Sequence, residues 1–308
     1  ERIAVTICED VWNLSDQRYS FDPLEEIAAL EPDLLINLSA SPWHLNKEEQ
    51  RKDLLGKVVE KVQCPVAYIN AVGGNDELIF DGHSMSIDRS GEVIAQSSSF
   101  RECIEVHELG ESPMPANHEM EKMESLRQAL VLGIRDYAGK SGFSKGLVGL
   151  SGGIDSALVA VIAAAALGAE NVSTLLMPSP WSSSGSIDDA TALAQRLKLT
   201  HHTLPIGDLM EGFDAGLRPA LTQGPEGVTA ENLQSRIRGT LLMAVANQQG
   251  QLLLTTGNKS ELAVGYCPLY GDMNGGLAVI GDLYKTTVFR LCDWIDSPEA
   301  ASCRRDLG

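Results

Sequence analysis

A chain of 308 residues, 44% hydrophobic and 21% charged, is long enough for two domains that each bury a core, and it is composed like a globular protein. Its formal charge of −18 excludes a nucleic-acid surface built from clustered Lys and Arg. The longest greasy stretch, 157–167, is far short of the roughly 20 residues that cross a bilayer, so no membrane partner is expected.

Residues 1–110 alternate short β-rich runs with one clear helix. Ile3–Cys8, Leu34–Leu38, Val66–Asn70, Glu77–Phe80, Ser84–Ile87 and Val93–Gln96 read as strands, and Lys47–Val62 carries apolar residues at helical spacing. The turn Arg89-Ser90-Gly91-Glu92 makes a hairpin of the last two strands. The Pro-rich, aperiodic stretch 111–118 reads as a linker, and a second module over 119–308 follows it. There Met123, Leu126, Leu130, Ile134 and Tyr137 share a helical face that Gly139 or Gly142 ends.

Next come a buried strand Leu147–Leu150, a glycine loop, and a helix Ser156–Leu167 closed by Gly168. Val172–Met177 is a strand, and Ser186-Ile187-Asp188-Asp189 resembles a capping box that starts a helix reaching Lys198. Thr200–Ile206, the helix Glu231–Asn247 and the strand Leu252–Thr255 continue the alternation, which predicts a parallel doubly wound sheet with ligands at the strands' carboxyl ends. Six cysteines show no metal-binding spacing, which fits reduced thiols and a cytoplasmic location; the six histidines show no metal motif. The chain opens without Met directly into a strand and stops at Asp306-Leu307-Gly308, so a piece of a longer protein is expected.

Ser151-Gly152-Gly153-Ile154-Asp155-Ser156 lies between an apolar strand and an apolar helix, where free N–H groups and the helix dipole favour an anion. Two glycines let the backbone approach phosphate, the hydroxyls of Ser151 and Ser156 can donate to it, and Asp155 can hold a Mg²⁺ that neutralises it. No Gly-Lys-Ser/Thr follows, so this is not a Walker loop. The second chemical signal is Cys8 in Ile7-Cys8-Glu9-Asp10-Val11-Trp12, a thiol that ends an apolar strand and is followed by two acids and an aromatic.

The glycine loop resembles that of the N-type ATP pyrophosphatases, which cleave ATP between the α and β phosphates to adenylate an oxygen before amination. Met177–Asp189, Glu231–Gly239, Thr256–Glu261 and Gly281–Thr286 look like glutamine-dependent NAD synthetase. Around Cys8, the segments Asn37–His44 and Gly73–Gly82 resemble the nitrilase-like glutaminase domain of that family. The resemblance implies an α/β chain: the carboxy-terminal part of a nitrilase-like α-β-β-α sandwich over 1–110, then a doubly wound ATP pyrophosphatase domain.

It also implies that Leu150, Ser151, Gly152, Gly153, Ile154, Asp155, Ser156 and Thr256 bind ATP, the co-substrate, and that Asn232 and Glu261 touch deamido-NAD. Asp155 and Glu261 would share Mg²⁺, and Lys285 is a charge partner for phosphate. Cys8 would attack the glutamine amide and release ammonia, with Ser41 and Lys47 binding glutamine. Arg236 and Arg238 fall in a long amphipathic helix, where a surface ion pair is the alternative to a ligand role.

The implied activity is amidation of deamido-NAD to NAD, in a full-length homo-oligomer, with AMP, pyrophosphate and glutamate released. The family's Glu base and assisting Lys both precede the cysteine and are not in this sequence, so little glutaminase activity is expected of these residues alone. Two rivals stand beside this reading: another ATP-pyrophosphatase amidotransferase, such as one making GMP, and a nucleotide-binding module without turnover.

Overall fold

Successive strand side chains point to opposite faces, so Ile3, Val5 and Ile7 of β1 (Ile3–Ile7), Leu34, Ile36 and Leu38 of β2 (Leu34–Ser39) and Ala67 and Ile69 of β3 (Val66–Asn70) form one apolar face of a sheet. In the computed structural model, which describes residues 1–13, 19–106, 120–221, 223–271 and 273–307, these strands run parallel, with Val5 opposite Ile36 and Ile36 opposite Ala67. β6 (Met85–Ile87) and β7 (Val93–Gln96) add antiparallel strands beyond β3. One face is covered by the helices α1 (Pro23–Ala29) and α2 (Lys47–Val62). Leu54, Leu55, Val58 and Val62 of α2 pack on Leu35, Val66, Tyr68, Met85 and Ile87.

The other face is apolar and open: Ile3, Val5 and Ile7 are 58%, 58% and 65% exposed, and Leu38 and Ile69 are 47% and 46% exposed. One sheet with helices on a single face and a bare apolar second face is half of the expected α-β-β-α sandwich. β4 (Val72–Asn75) and β5 (Leu78–Asp81) form a separate hairpin. A second small cluster joins Trp43, Val72, Ile79 and Phe100 to Ala129 and Leu132 of α3 (Lys122–Lys140).

The chain divides into two compact units, Glu1–Gly133 and Ile134 onward, so the division falls within α3. The linker expected at 111–118 lies outside the described residues. Among the described residues, the second unit holds five parallel strands in the order β10 (Thr200–Thr203), β9 (Val172–Leu176), β8 (Gly146–Gly149), β11 (Leu252–Thr255), β12 (Leu277–Ala278). Strand order reverses between β8 and β11, and such a switch point opens a crevice at the carboxyl ends of those two strands. The glycine loop follows β8 and Thr256 follows β11, so both lie at that crevice.

Helices α4 (Ile154–Leu167), α5 (Ser184–Arg196), α6 (Gly207–Leu217), α7 (Val228–Gln249), α8 (Lys259–Val264), α9 (Lys285–Asp296) and α10 (Ala301–Asp306) complete the unit. α5 starts before the expected Ser186: Ser183 is its N-cap and accepts the Ser186 N–H at 3.1 Å. The strand expected to reach Ile206 stops at Thr203, because the Ile206 N–H turns to the Pro178 carbonyl and α6 begins. Among the described residues, no helix is long and apolar enough to cross a membrane.

Candidate functional site

The glycine loop is held by its own hydroxyls. The Ser151 N–H donates to Ser156 Oγ at 3.2 Å, the Gly153 N–H to Ser151 Oγ at 3.2 Å, and the Ser156 hydroxyl to the Gly153 carbonyl at 2.9 Å. Gly152 has φ +84°, and a Cβ there would sit 2.2 Å from the Ser186 carbonyl oxygen, so only glycine fits. Gly153 is the N-cap of α4 and makes no side-chain bond, which leaves the helix's first-turn amides for an anion. The loop opens on a cavity of about 350 Å³ whose wall includes Ser151, Gly153, Asp155, Ser156, Thr256 and Glu261.

Asp155, in the first turn of α4, is held at both carboxylate oxygens: Oδ1 accepts from Asn258 Nδ2 at 3.2 Å, and Oδ2 pairs with Lys285 Nζ. Asn258 is the N-cap of α8, and Glu261 closes a reciprocal capping box with it. α9 starts against α8, its Lys285 N–H donating to Ser260 Oγ at 3.0 Å. Burial and the neighbouring Asp155 charge push the Cys292 thiol up to about 11, which keeps it protonated at neutral pH.

Of the residues expected to bind ATP, the cavity brings together Leu150, Ser151, Gly153, Asp155, Ser156 and Thr256; Gly152 and Ile154 belong to the loop without lining it. Lys285 reaches the site through Asp155. Asn232 is half-buried on α7 and is not among the lining residues; it stands six residues before Arg238, roughly 9 Å along the helix axis. Arg238 does line the cavity, its Nε donating to the Met177 carbonyl at 3.1 Å, while Arg236 Nε donates to the Leu269 carbonyl at 3.1 Å.

Among the described residues no group of three His, Cys, Asp or Glu is placed to hold a metal. Asp155 and Glu261 offer two hard carboxylates on one wall, a donor set that fits Mg²⁺ when phosphate oxygens and water complete its shell.

In the first unit, Cys8 opens a 3₁₀ turn, Cys8–Val11, at the end of β1 with φ +48°, a left-handed conformation that a non-glycine residue rarely takes. Asp10 ties the turn down by accepting the Ile7 N–H at 2.8 Å. Cys8 lines a cavity of about 460 Å³ together with Ser41 and Lys47, so the structure brings all three expected residues together. Burial, reinforced by the Arg51 charge, holds Lys47 below the ordinary lysine range, and its Nζ stands 4.1 Å over the Trp12 ring.

Ser41 is set by a buried network that sequence reasoning missed. Arg51, 0% exposed, pairs with Asp81 at 2.8 Å and donates to the Ser41 carbonyl at 2.9 Å, while Asn70 Oδ1 accepts the Ser41 N–H at 2.8 Å. Breaking such a buried pair costs about 3–5 kcal/mol, so this floor is rigid. Asp81 lay within the Gly73–Gly82 segment already singled out, but its partner 30 residues away left no local sign.

A doubly wound parallel sheet, with a glycine loop, a lysine and paired carboxylates at its switch point, defines an α/β protein whose loop amides and lysine could meet a phosphate-bearing ligand. The NAD synthase family model matches residues 126–304, and the chain belongs to that family. The glutamine-dependent NAD(+) synthetase of Synechocystis sp. is 50% identical over 305 residues, 96% of this chain and 55% of the relative. That of Thermotoga maritima is 42% identical over 96% of this chain and 57% of its own length.

Among solved structures, glutamine-dependent NAD+ synthetase from Acinetobacter baumannii in complex with ADP superposes with a TM-score of 0.87 at 39% identity, covering 99% of this chain and 58% of that one. NH3-dependent NAD synthetase from Campylobacter jejuni in complex with nitrate matches 59% of this chain and 76% of its own, at 31% identity and a TM-score of 0.53. The chain thus spans about half the length of the curated relatives it matches.

Proposed function

We propose that the chain is part of an enzyme that amidates deamido-NAD to NAD, using ATP and nitrogen from glutamine or ammonia. The observation that carries this reading is the glycine loop, sealed against Ser186 and opening with Asp155, Thr256 and Glu261 on one cavity. The named relatives, and the ADP held by the Acinetobacter baumannii protein, support the choice of ligand.

In this reading the loop amides and Lys285 bind ATP phosphates, Thr256 contacts the nucleotide, and Asn232 and Glu261 meet deamido-NAD. The carboxylate of deamido-NAD attacks the α-phosphorus and expels pyrophosphate; ammonia then attacks the acyl adenylate and expels AMP. Asp155 and Glu261 would hold Mg²⁺, which supplies charge neutralisation on the phosphates. Cys8 would form a thioester with the glutamine side chain and release the ammonia, with Ser41 and Lys47 orienting the substrate. The enzyme would work in the cytoplasm as a homo-oligomer.

The test is an assay of ATP binding, and of AMP release with deamido-NAD and ammonium, in the chain carrying the remainder its relatives have. Asp155→Ala is expected to abolish AMP release. AMP formed at an unchanged rate would refute the assignment, and ATP bound without AMP formation in the unaltered protein would select a binding module without turnover.

A further inference from the structure

Two carboxylates on one cavity wall repel each other, and something must fix their spacing before a cation is present to do so. Between Asp155 and Glu261 stands Asn258, fully buried. Its Nδ2 donates to Asp155 Oδ1 at 3.2 Å, its Oδ1 accepts the Glu261 N–H at 3.1 Å, and its own N–H donates to Glu261 Oε2 at 3.0 Å. One side chain therefore touches the Asp155 carboxylate while one backbone N–H touches that of Glu261.

Only an amide can accept from the Glu261 N–H and donate to Asp155 at once with this reach. A carboxylate has no proton to donate, and a hydroxyl is too short. Lys285 also holds Asp155, but through the opposite oxygen and with a positive charge. A cation arriving at Asp155 repels that ammonium and leaves the neutral Asn258 bond intact.

We infer that Asn258 is a positioning residue that holds the Asp155 and Glu261 carboxylates as one pair, so that metal-assisted nucleotide binding depends on it. This rests on reading the cavity as the ATP site. Hydrogen-bond partners of metal-binding carboxylates typically contribute about 10- to 100-fold in metal affinity.

The test compares ATP affinity by calorimetry, in Mg²⁺ and in EDTA, for the chain and for Asn258→Ser and Asn258→Thr. Both replacements keep an oxygen that caps α8, so the melting transition is expected to stay in place. The expected result is that the gain in ATP affinity brought by Mg²⁺ shrinks about tenfold or more in both variants, while affinity in EDTA is unchanged. A gain kept whole in both variants overturns the role of Asn258 and leaves the ATP site standing. Equal losses with and without Mg²⁺ also overturn it, since they report a damaged pocket and not misplaced carboxylates. An unaltered chain that binds no ATP, or binds it without regard to Mg²⁺, overturns the ATP-site reading and this proposal together.

Discussion

Gly152 carries the sharpest constraint at the scale of a single residue, because two independent facts exclude a side chain there. Its φ of +84° disfavours any L residue, and a Cβ would overlap a backbone carbonyl at 2.2 Å, an atom that cannot swing aside as a side chain can. Gly152→Ala is therefore expected to push the loop off the start of α5 and to lower ATP affinity by about tenfold or more, while unit-wide stability falls by only about 1–3 kcal/mol. Calorimetry with ATP beside a urea titration checks this, and an alanine variant that binds as the parent does would show that the loop is not the phosphate cradle. The loop was legible from sequence because its chemistry is local: two glycines, two hydroxyls and an acid in six residues between an apolar strand and helix. The grip on Asp155 was not legible, since Asn258 lies 103 residues and Lys285 130 residues further on.

Elements separate along the same line. Val66–Asn70, Lys47–Val62, Val93–Gln96 and Leu252–Thr255 were read with their bounds intact, because burial on one or two faces writes a period into the sequence. α8 spans six residues and β12 two, too short for any period, yet Asn258-Lys259-Ser260-Glu261 is a legible capping-box signal that went unused. The join between α2 and the strands β6 and β7 has its own chemistry. His83 and Gln96 are buried against the half-buried Glu48 of α2, whose Oε1 lies 3.0 Å from both His83 Nε2 and Gln96 Nε2; Ser99 Oγ lies 2.6 Å from His83 Nδ1.

Burial lowers the His83 pKa below the ordinary 6.5, outweighing the attraction of Glu48 and Asp81; Lys52 and Arg51 add to the lowering. Below that ordinary value the unfolded chain takes up the proton before the folded one does, so acid favours unfolding until the folded pKa is also passed. The stability of the first unit is thus expected to fall as pH drops below about 6.5, and His83→Gln to flatten that fall. Urea midpoints measured from pH 8 to pH 5 decide it, and a steeper fall in the glutamine variant would assign the acid sensitivity elsewhere.

For the molecule as a whole, the two units are in unequal condition for chemistry. The second unit has its parallel sheet, switch point and lined cavity together. In the first unit, the sheet that carries Cys8 turns an apolar face of Ile3, Val5, Ile7, Leu38 and Ile69 to solvent. The acids next to the thiol are already engaged, Glu9 accepting the Tyr19 hydroxyl at 2.7 Å and Asp10 the Ile7 N–H at 2.8 Å. Lys47, which the family resemblance assigns to glutamine, lies over Trp12. A thioester mechanism needs an oriented base for the thiol proton, worth about 10²–10⁴-fold, and Glu9, Asp10 and Lys47 each already hold another partner.

The 308-residue chain is therefore expected to hydrolyse glutamine at least about a hundredfold more slowly than a glutamine-dependent relative of full family length. Cys8→Ala is expected to change that residual rate little. In the chain extended to family length, the same substitution is expected to stop synthesis from glutamine and spare synthesis from ammonium, because in the proposed mechanism the thiol serves amide cleavage alone. Glutamate release from the purified chain, set beside NAD formation from each nitrogen source in the extended protein, tests both halves. Turnover in the chain equal to that of its relatives would mean that a base for Cys8 lies within residues 1–308.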